Sequence, residues 1–226
     1  MSDFVNKTCT EFSEQLASSA PIPGGGGAAA LVGALGAALA SMVSNLTIGK
    51  KKYAAYEDDL KKLLEKSEAI RKELLSLVDK DAEAFEPLSK AYSIPKDNPD
   101  REKIMEDCLR LACTVPMDIL RAADKAALLL PELVEKGSSY AVSDVGCAAA
   151  CCKAAAQSAC LNVYINTKLM KDRDYAAALE KEAEELVQRC SSTADEAYNS
   201  VLVKLKYRLP FAGKSGAHRR IRRNDG

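Results

Sequence analysis

Between Pro21 and Gly49 the chain carries no charged residue, and glycine and alanine fill nearly half of that run. Such a segment has two homes: a bilayer, which it is long enough to span, or the centre of a helical protein, buried on all sides. Alanine and glycine supply little of the insertion energy that Leu, Ile, Phe or Val would give. Ser41, Ser44, Asn45 and Thr47 make the end of the run polar, and three lysines follow at once. A buried central helix is therefore expected, with a membrane protein built on 21–49 as the alternative.

The rest of the chain supports a helical body. Strand patterns are almost absent, and apolar residues recur at spacings of three and four. Helices are expected over residues 3–18, Gly27–Thr47, Tyr53–Tyr92, Arg101–Val134, Val145–Met170 and Tyr175–Lys206. In the third, Leu60, Leu63, Leu64, Ile70, Leu74, Leu77, Val78 and Phe85 mark the inner face, and Pro87 should bend or end it. Pro116 should kink the fourth. Ser143 or Asp144 is the expected N-cap of the fifth. Six long helices with short loops read as an all-α, up-and-down bundle. Residues 1–206 form this domain. The tail, 207–226, is basic (Arg208, Lys214, Arg219, Arg220, Arg222 and Arg223 against Asp225), poor in apolar residues, and expected to be disordered.

Composition excludes several function classes. The 32 basic and 32 acidic residues of the 226 cancel, which argues against a nucleic-acid-binding core. The single histidine, His218, lies in the tail, so acid–base chemistry falls to a carboxylate, Lys, Tyr or Cys. Eight cysteines form no C-x-x-C pair, so no metal site is expected. Cys147, Cys151 and Cys152 sit in an alanine-rich helix, where core packing is the expected use of a free thiol. Met1 leads into polar Ser2 and Asp3, which is no secretory pattern, and the expected location is the cytoplasm.

Four segments could carry chemistry. Gly24, Gly25, Gly26 and Gly27 stand directly before a helix, where bare backbone and unpaired N–H groups could hold an anion or a carbonyl; a hinge is the alternative. Lys50, Lys51 and Lys52 follow Asn45, either as solvated partners of a helix end or as a grip on a polycarboxylate. Asp81 stands one turn before Phe85, which should draw it inward; an exposed acid is the alternative. Asn162 and Asn166 share an apolar helix face and need partners there, from neighbouring helices or from a ligand.

Together these segments resemble one family. Pro21-Ile-Pro-Gly-Gly-Gly-Gly-Ala-Ala-Ala30, Gly33-Ala-Leu-Gly-Ala-Ala-Leu-Ala-Ser-Met-Val43 and Asn45-Leu-Thr-Ile-Gly-Lys-Lys-Lys-Tyr53 are similar to the opening of the cyclodeaminase domain of formiminotransferase-cyclodeaminase. Asp81-Ala-Glu-Ala-Phe85, Ser143-Asp-Val-Gly-Cys-Ala-Ala149 and Asn162-Val-Tyr-Ile-Asn166 follow in the family's order, and the resemblance covers roughly residues 5–206. Gly27 departs from it, standing where many members have Ser or Thr. The transferase half is not in this sequence.

The resemblance implies a helical homodimer that binds tetrahydrofolate near the subunit interface and needs no further cofactor. It implies ring closure of 5-formimidoyltetrahydrofolate to 5,10-methenyltetrahydrofolate with release of ammonia. A cyclohydrolase, in which water attacks the methenyl carbon, is the alternative within the family, and a non-catalytic dimerisation scaffold the alternative outside it. On this reading Asp81 or Asp144 is the acid–base group. Lys50–Lys52 meet the glutamate tail of a mono- or polyglutamylated folate. Asn45, the Gly24–Gly27 loop and Asn162 or Asn166 hold the substrate. A separate formiminotransferase is a candidate partner.

Overall fold

The computed structural model describes residues 3–206. Its helices are α1 (Cys9–Leu16), α2 (Gly25–Asn45), α3 (Glu57–Ala91), α4 (Arg101–Ala127), α5 (Leu130–Lys136), α6 (Val142–Thr167) and α7 (Arg173–Lys206), with 3-10 turns at Lys51–Tyr56 and Ser139–Ala141. No strand occurs among the described residues. The fold is the all-α bundle that the periodicity predicts, with five long helices and two short ones. The tail and His218 lie outside the described residues.

Helices α2, α3, α4 and α6 close a ring, each packing on the next and α6 returning to α2; α7 lies against α4 and α6. The core inside the ring includes Val43, Leu60, Leu74, Val78, Ile119, Leu120, Val145 and Val163. The charge-free segment is one of its walls. Among the described residues α2 is the one helix long and apolar enough to cross a bilayer, yet most of it is buried in the bundle. Its glycines make that packing close. A Cβ on Gly36 would stand 3.0 Å from Cys152 Sγ and 3.2 Å from the Ala148 carbonyl oxygen of α6.

Several boundaries differ from expectation, each for a local reason. Helix α1 starts at Cys9 because Thr8 and Glu11 form a reciprocal capping box there. Helix α6 starts at Val142 after Ala141, with no side-chain cap. Ser143 and Asp144 are thus inside its first turn and neither is the N-cap. The expected fourth helix divides after Ala127, because Pro131 has no N–H for the Ala127 carbonyl and sits instead in the first turn of α5. Pro87 does not end α3, which runs on to Ala91. Of the three neighbouring cysteines only Cys152 is in the core; Cys151 is half-buried and Cys147 exposed, being on the outward side of α6.

Pro116 stays within α4, and the cost is met by a side chain. Lacking an N–H, it leaves the Ala112 carbonyl without its helical partner. Asn166 of α6, 7% exposed, donates its Nδ2 to that carbonyl at 3.1 Å and to the Asn162 carbonyl at 3.0 Å. The buried amide thereby ties α6 to α4 at the carbonyl that Pro116 frees. Replacing Asn166 by Ala should cost about 1–3 kcal/mol, the penalty of an unmade buried hydrogen bond. In a Pro116→Ala background, where the new N–H serves Ala112, the same change should cost about 1 kcal/mol less. Equal costs in a denaturant-melt double-mutant cycle would show that the amide does not serve the proline.

Candidate active site

The chain enters α2 through Pro21–Gly24, with a cis Ile22–Pro23 bond and no side-chain cap at Gly24. The first N–H groups of α2 therefore lack internal acceptors. Asp81 of α3 supplies one, accepting from the Gly27 N–H. The approach needs a bare backbone: a Cβ on Gly26 would lie 2.1 Å from Asp81 Oδ1, well inside contact distance. Burial pushes the Asp81 carboxyl up to about 6 against the opposing effect of the Gly27 hydrogen bond.

Around this carboxylate lies a small open cleft of about 170 Å³. Pro21, Ile22, Gly24, Gly25 and Gly26 form one side, Asp81 and Phe85 of α3 a second, Ala112 and Pro116 of α4 a third, and Asn162, Ile165 and Asn166 of α6 the last. Asp81 and Phe85, one turn apart, both reach the wall. Asn162 faces Gly25 and donates to the Ser158 carbonyl at 2.8 Å. Both amide protons of Asn166 are spent on backbone, so its carbonyl oxygen alone is left for a ligand. Among the described residues Asp81 is the only charged side chain on the wall.

The remaining sequence candidates stand elsewhere. Helix α2 has 21 residues, so at ~1.5 Å per residue its ends are about 30 Å apart. Asn45 closes the far end. Gly49, at a φ of 79°, turns the chain into the Lys51–Tyr56 turn. There Lys50 donates to Ser138 Oγ at 3.5 Å and Lys52 lies over the Tyr53 ring. Tyr53 Oη accepts the Ser139 N–H at 3.0 Å. Burial raises the Tyr53 phenol, but bonds from Ser139, Lys52 and Ser138 outweigh it and hold the group at about 8. Asp144, in the first turn of α6, is at this same end, since Ser138 N donates to Thr47 Oγ1 at 2.8 Å and joins the two helix ends. The structure thus brings together Asp81, Asn162, Asn166 and the Gly24–Gly26 loop. It sets Asn45, Lys50, Lys51, Lys52 and Asp144 apart from them. Gly27 sits behind the wall, against α3.

Sequence reasoning overlooked the part of α4. Pro116 signalled only a kink, although a proline inside a helix also announces a free carbonyl four residues earlier. Among the described residues no group of three His, Cys, Asp or Glu side chains is placed to hold a metal ion.

Residues 8–185 match the family model described as formiminotransferase-cyclodeaminase. The chain belongs to that family. It is 44% identical over 205 residues to a methenyltetrahydrofolate cyclohydrolase from Methylorubrum extorquens, covering 88% of this chain and 98% of that protein. It is 32% identical over 194 residues to the formimidoyltransferase-cyclodeaminase of Sus scrofa, covering 84% of this chain and 36% of that larger protein. A formiminotetrahydrofolate cyclodeaminase from Thermotoga maritima has the same fold, with a TM-score of 0.77, 32% identity, and coverage of 88% of this chain and all of that one. These relatives are, by name, enzymes of tetrahydrofolate chemistry.

The raised carboxyl has a consequence for stability. A carboxyl shifted up by folding stabilises the protein fully below the unfolded value of 3.8, and that contribution is lost as pH rises through about 6. Asp81→Asn keeps an acceptor for Gly27 and removes the charge. The variant should melt like wild type at pH 4 and be more stable at pH 8, by about 1–3 kcal/mol. A variant less stable than wild type at pH 8 would contradict the assignment.

Proposed function

We propose that the protein is a 5,10-methenyltetrahydrofolate cyclohydrolase, with Asp81 as the group that moves the proton. The observation that carries the chemistry is one half-buried carboxylate, raised by burial, on the wall of a cleft otherwise built of backbone, apolar and carboxamide groups. What favours the hydrolytic reaction is the 44% identity to a relative of that name along almost its whole length.

In this reading the pteridine lies across the Gly24–Gly26 edge, with Asn162 and the Asn166 carbonyl turned toward its polar rim. Asp81, ionised above pH 6, takes a proton from a water as the water oxygen bonds to the methenyl carbon. The bond from that carbon to N5 then breaks with its electron pair going to N5, Asp81 returns the proton there, and the hydroxyl proton passes to solvent water as the C=O forms, leaving a formyl group on N10. A carboxyl near 6 suits both halves of this exchange, and general acid–base help of this kind is worth about 10²–10⁴-fold. The resemblance adds a homodimer to the proposal, and the thiol usage adds a cytoplasmic location.

The second reading, formimidoyltetrahydrofolate cyclodeamination, is favoured by the family model and by the Thermotoga maritima fold match. There Asp81 would protonate the departing nitrogen after N10 attacks the amidine carbon. The two reactions are separated by supplying each substrate and following the methenyl absorbance, which falls in hydrolysis and rises in cyclodeamination. We expect a fall, with kcat/KM rising through an apparent pKa near 6 and lowered about 10²-fold or more in Asp81→Asn. A rise alone assigns the cyclodeaminase. Wild-type rates in Asp81→Asn end the role of Asp81.

A further inference from the structure

Asn166 is a buried carboxamide with one unmet atom. It is 7% exposed, and its Nδ2 donates to the Ala112 and Asn162 carbonyls at 3.1 and 3.0 Å. With both amide protons committed, only its oxygen is left. Turning the amide over would set Oδ1 against two carbonyl oxygens, so the orientation is fixed. Among the described residues no N–H or O–H donates to Oδ1, and no fully enclosed side-chain oxygen lacks a partner. This oxygen therefore opens onto the cleft that Asn166 lines.

The cause lies in α4. A residue with an N–H at position 116 would serve the Ala112 carbonyl itself, and the Asn166 amide would keep a single anchor, the Asn162 carbonyl. One anchor holds a carboxamide less firmly than two, and either its oxygen or its nitrogen can then face the cleft. Asn162, one turn earlier on the same wall, differs: its Nδ2 donates to the Ser158 carbonyl at 2.8 Å, which leaves one amide proton to give. The two side chains thus offer an acceptor beside a donor, on Cβ atoms about 5–6 Å apart. A ring lactam complements this pair, its N–H meeting Asn166 and its carbonyl meeting Asn162. A 2-amino-4-oxopteridine has that lactam at N3 and C4.

We propose that Pro116 is a positioning residue for ring recognition: by freeing the Ala112 carbonyl it holds Asn166 with Oδ1 toward the cleft, where that oxygen accepts the lactam N–H of the pteridine. The inference rests on the proposed folate chemistry and adds how the ring is told from one whose lactam is inverted. A 2,4-diaminopteridine is that case, since its N3 is an acceptor and its 4-position a donor. It would set N3 against Oδ1 and leave both unpaired.

Calorimetric titration of the full chain with 5-formyltetrahydrofolate and with its 4-amino-4-deoxy counterpart tests this. Wild type should bind the oxo ring about 10–100-fold more tightly, the scale of an unmade buried hydrogen bond. Pro116→Ala should lower that ratio about 10-fold, because the amide can then turn. In an Asn166→Ala background the ratio is already low, and Pro116→Ala should leave it unchanged. A wild-type ratio near one, an unaltered ratio in Pro116→Ala, or a further drop from Pro116→Ala in the Asn166→Ala background would each overturn the inference. The last result would mean that the proline acts only by shaping the wall. A wild type that binds neither ligand ends the folate reading instead. In that case, or if Asn166→Ala does not fold, hydrogen exchange of the Asn166 side-chain amide decides. Slow exchange in wild type and faster exchange in Pro116→Ala support the device, and equal rates overturn it.

Discussion

Everything at the site depends on how closely two helices approach at one point. The N-terminus of α2 meets α3 where Gly26 faces Asp81, at a separation with no room for a side-chain carbon. That closeness has three effects at once. It lets Asp81 cap the Gly27 N–H, desolvates the carboxylate enough to bring it to about 6, and fixes it on the cleft wall. A looser contact would leave an ordinary exposed acid, ionised throughout the physiological range and poorly matched to exchanging a proton at neutral pH.

The surrounding bundle holds that contact in place. Alanine and glycine on α2 let α3 and α6 pack tightly along its length, so the helix cannot slide without losing its fit to Leu74, Ala155 and Cys152. Across the cleft, Pro116 frees a carbonyl that Asn166 captures, which fixes α4 against α6. The same proline lines the cleft. A residue that weakens a helix in isolation thus locks two helices together and shapes the wall opposite the carboxylate.

The all-α bundle and the inward turn of Asp81 and Phe85 are legible in spacing, because periodicity reports which face is buried, and the buried position of the charge-free segment is legible in its alanine- and glycine-rich composition. The caps were less so. Ser143 and Asp144 are good capping residues in a plausible place, yet α6 begins before them, because Ser138 bonded to Thr47 starts the turn earlier. The division of α4 from α5 followed from Pro131, a signal present in the chain but masked by the apolar pattern that continues past it. What spacing could not give was distance between segments. The resemblance gathered lysines, glycines, asparagines and aspartates into one site, whereas the length of α2 sorts them into two ends of the bundle.

Gly26→Ala tests the account at its root. Alanine favours the helix intrinsically, so the fold should persist, with circular dichroism and melting close to wild type. The added carbon occupies the space that Asp81 needs. Turnover of methenyltetrahydrofolate should therefore fall about 10²-fold, the scale of general acid–base help. Wild-type turnover by a folded Gly26→Ala protein would show that the close contact between α2 and Asp81 is not what makes the site.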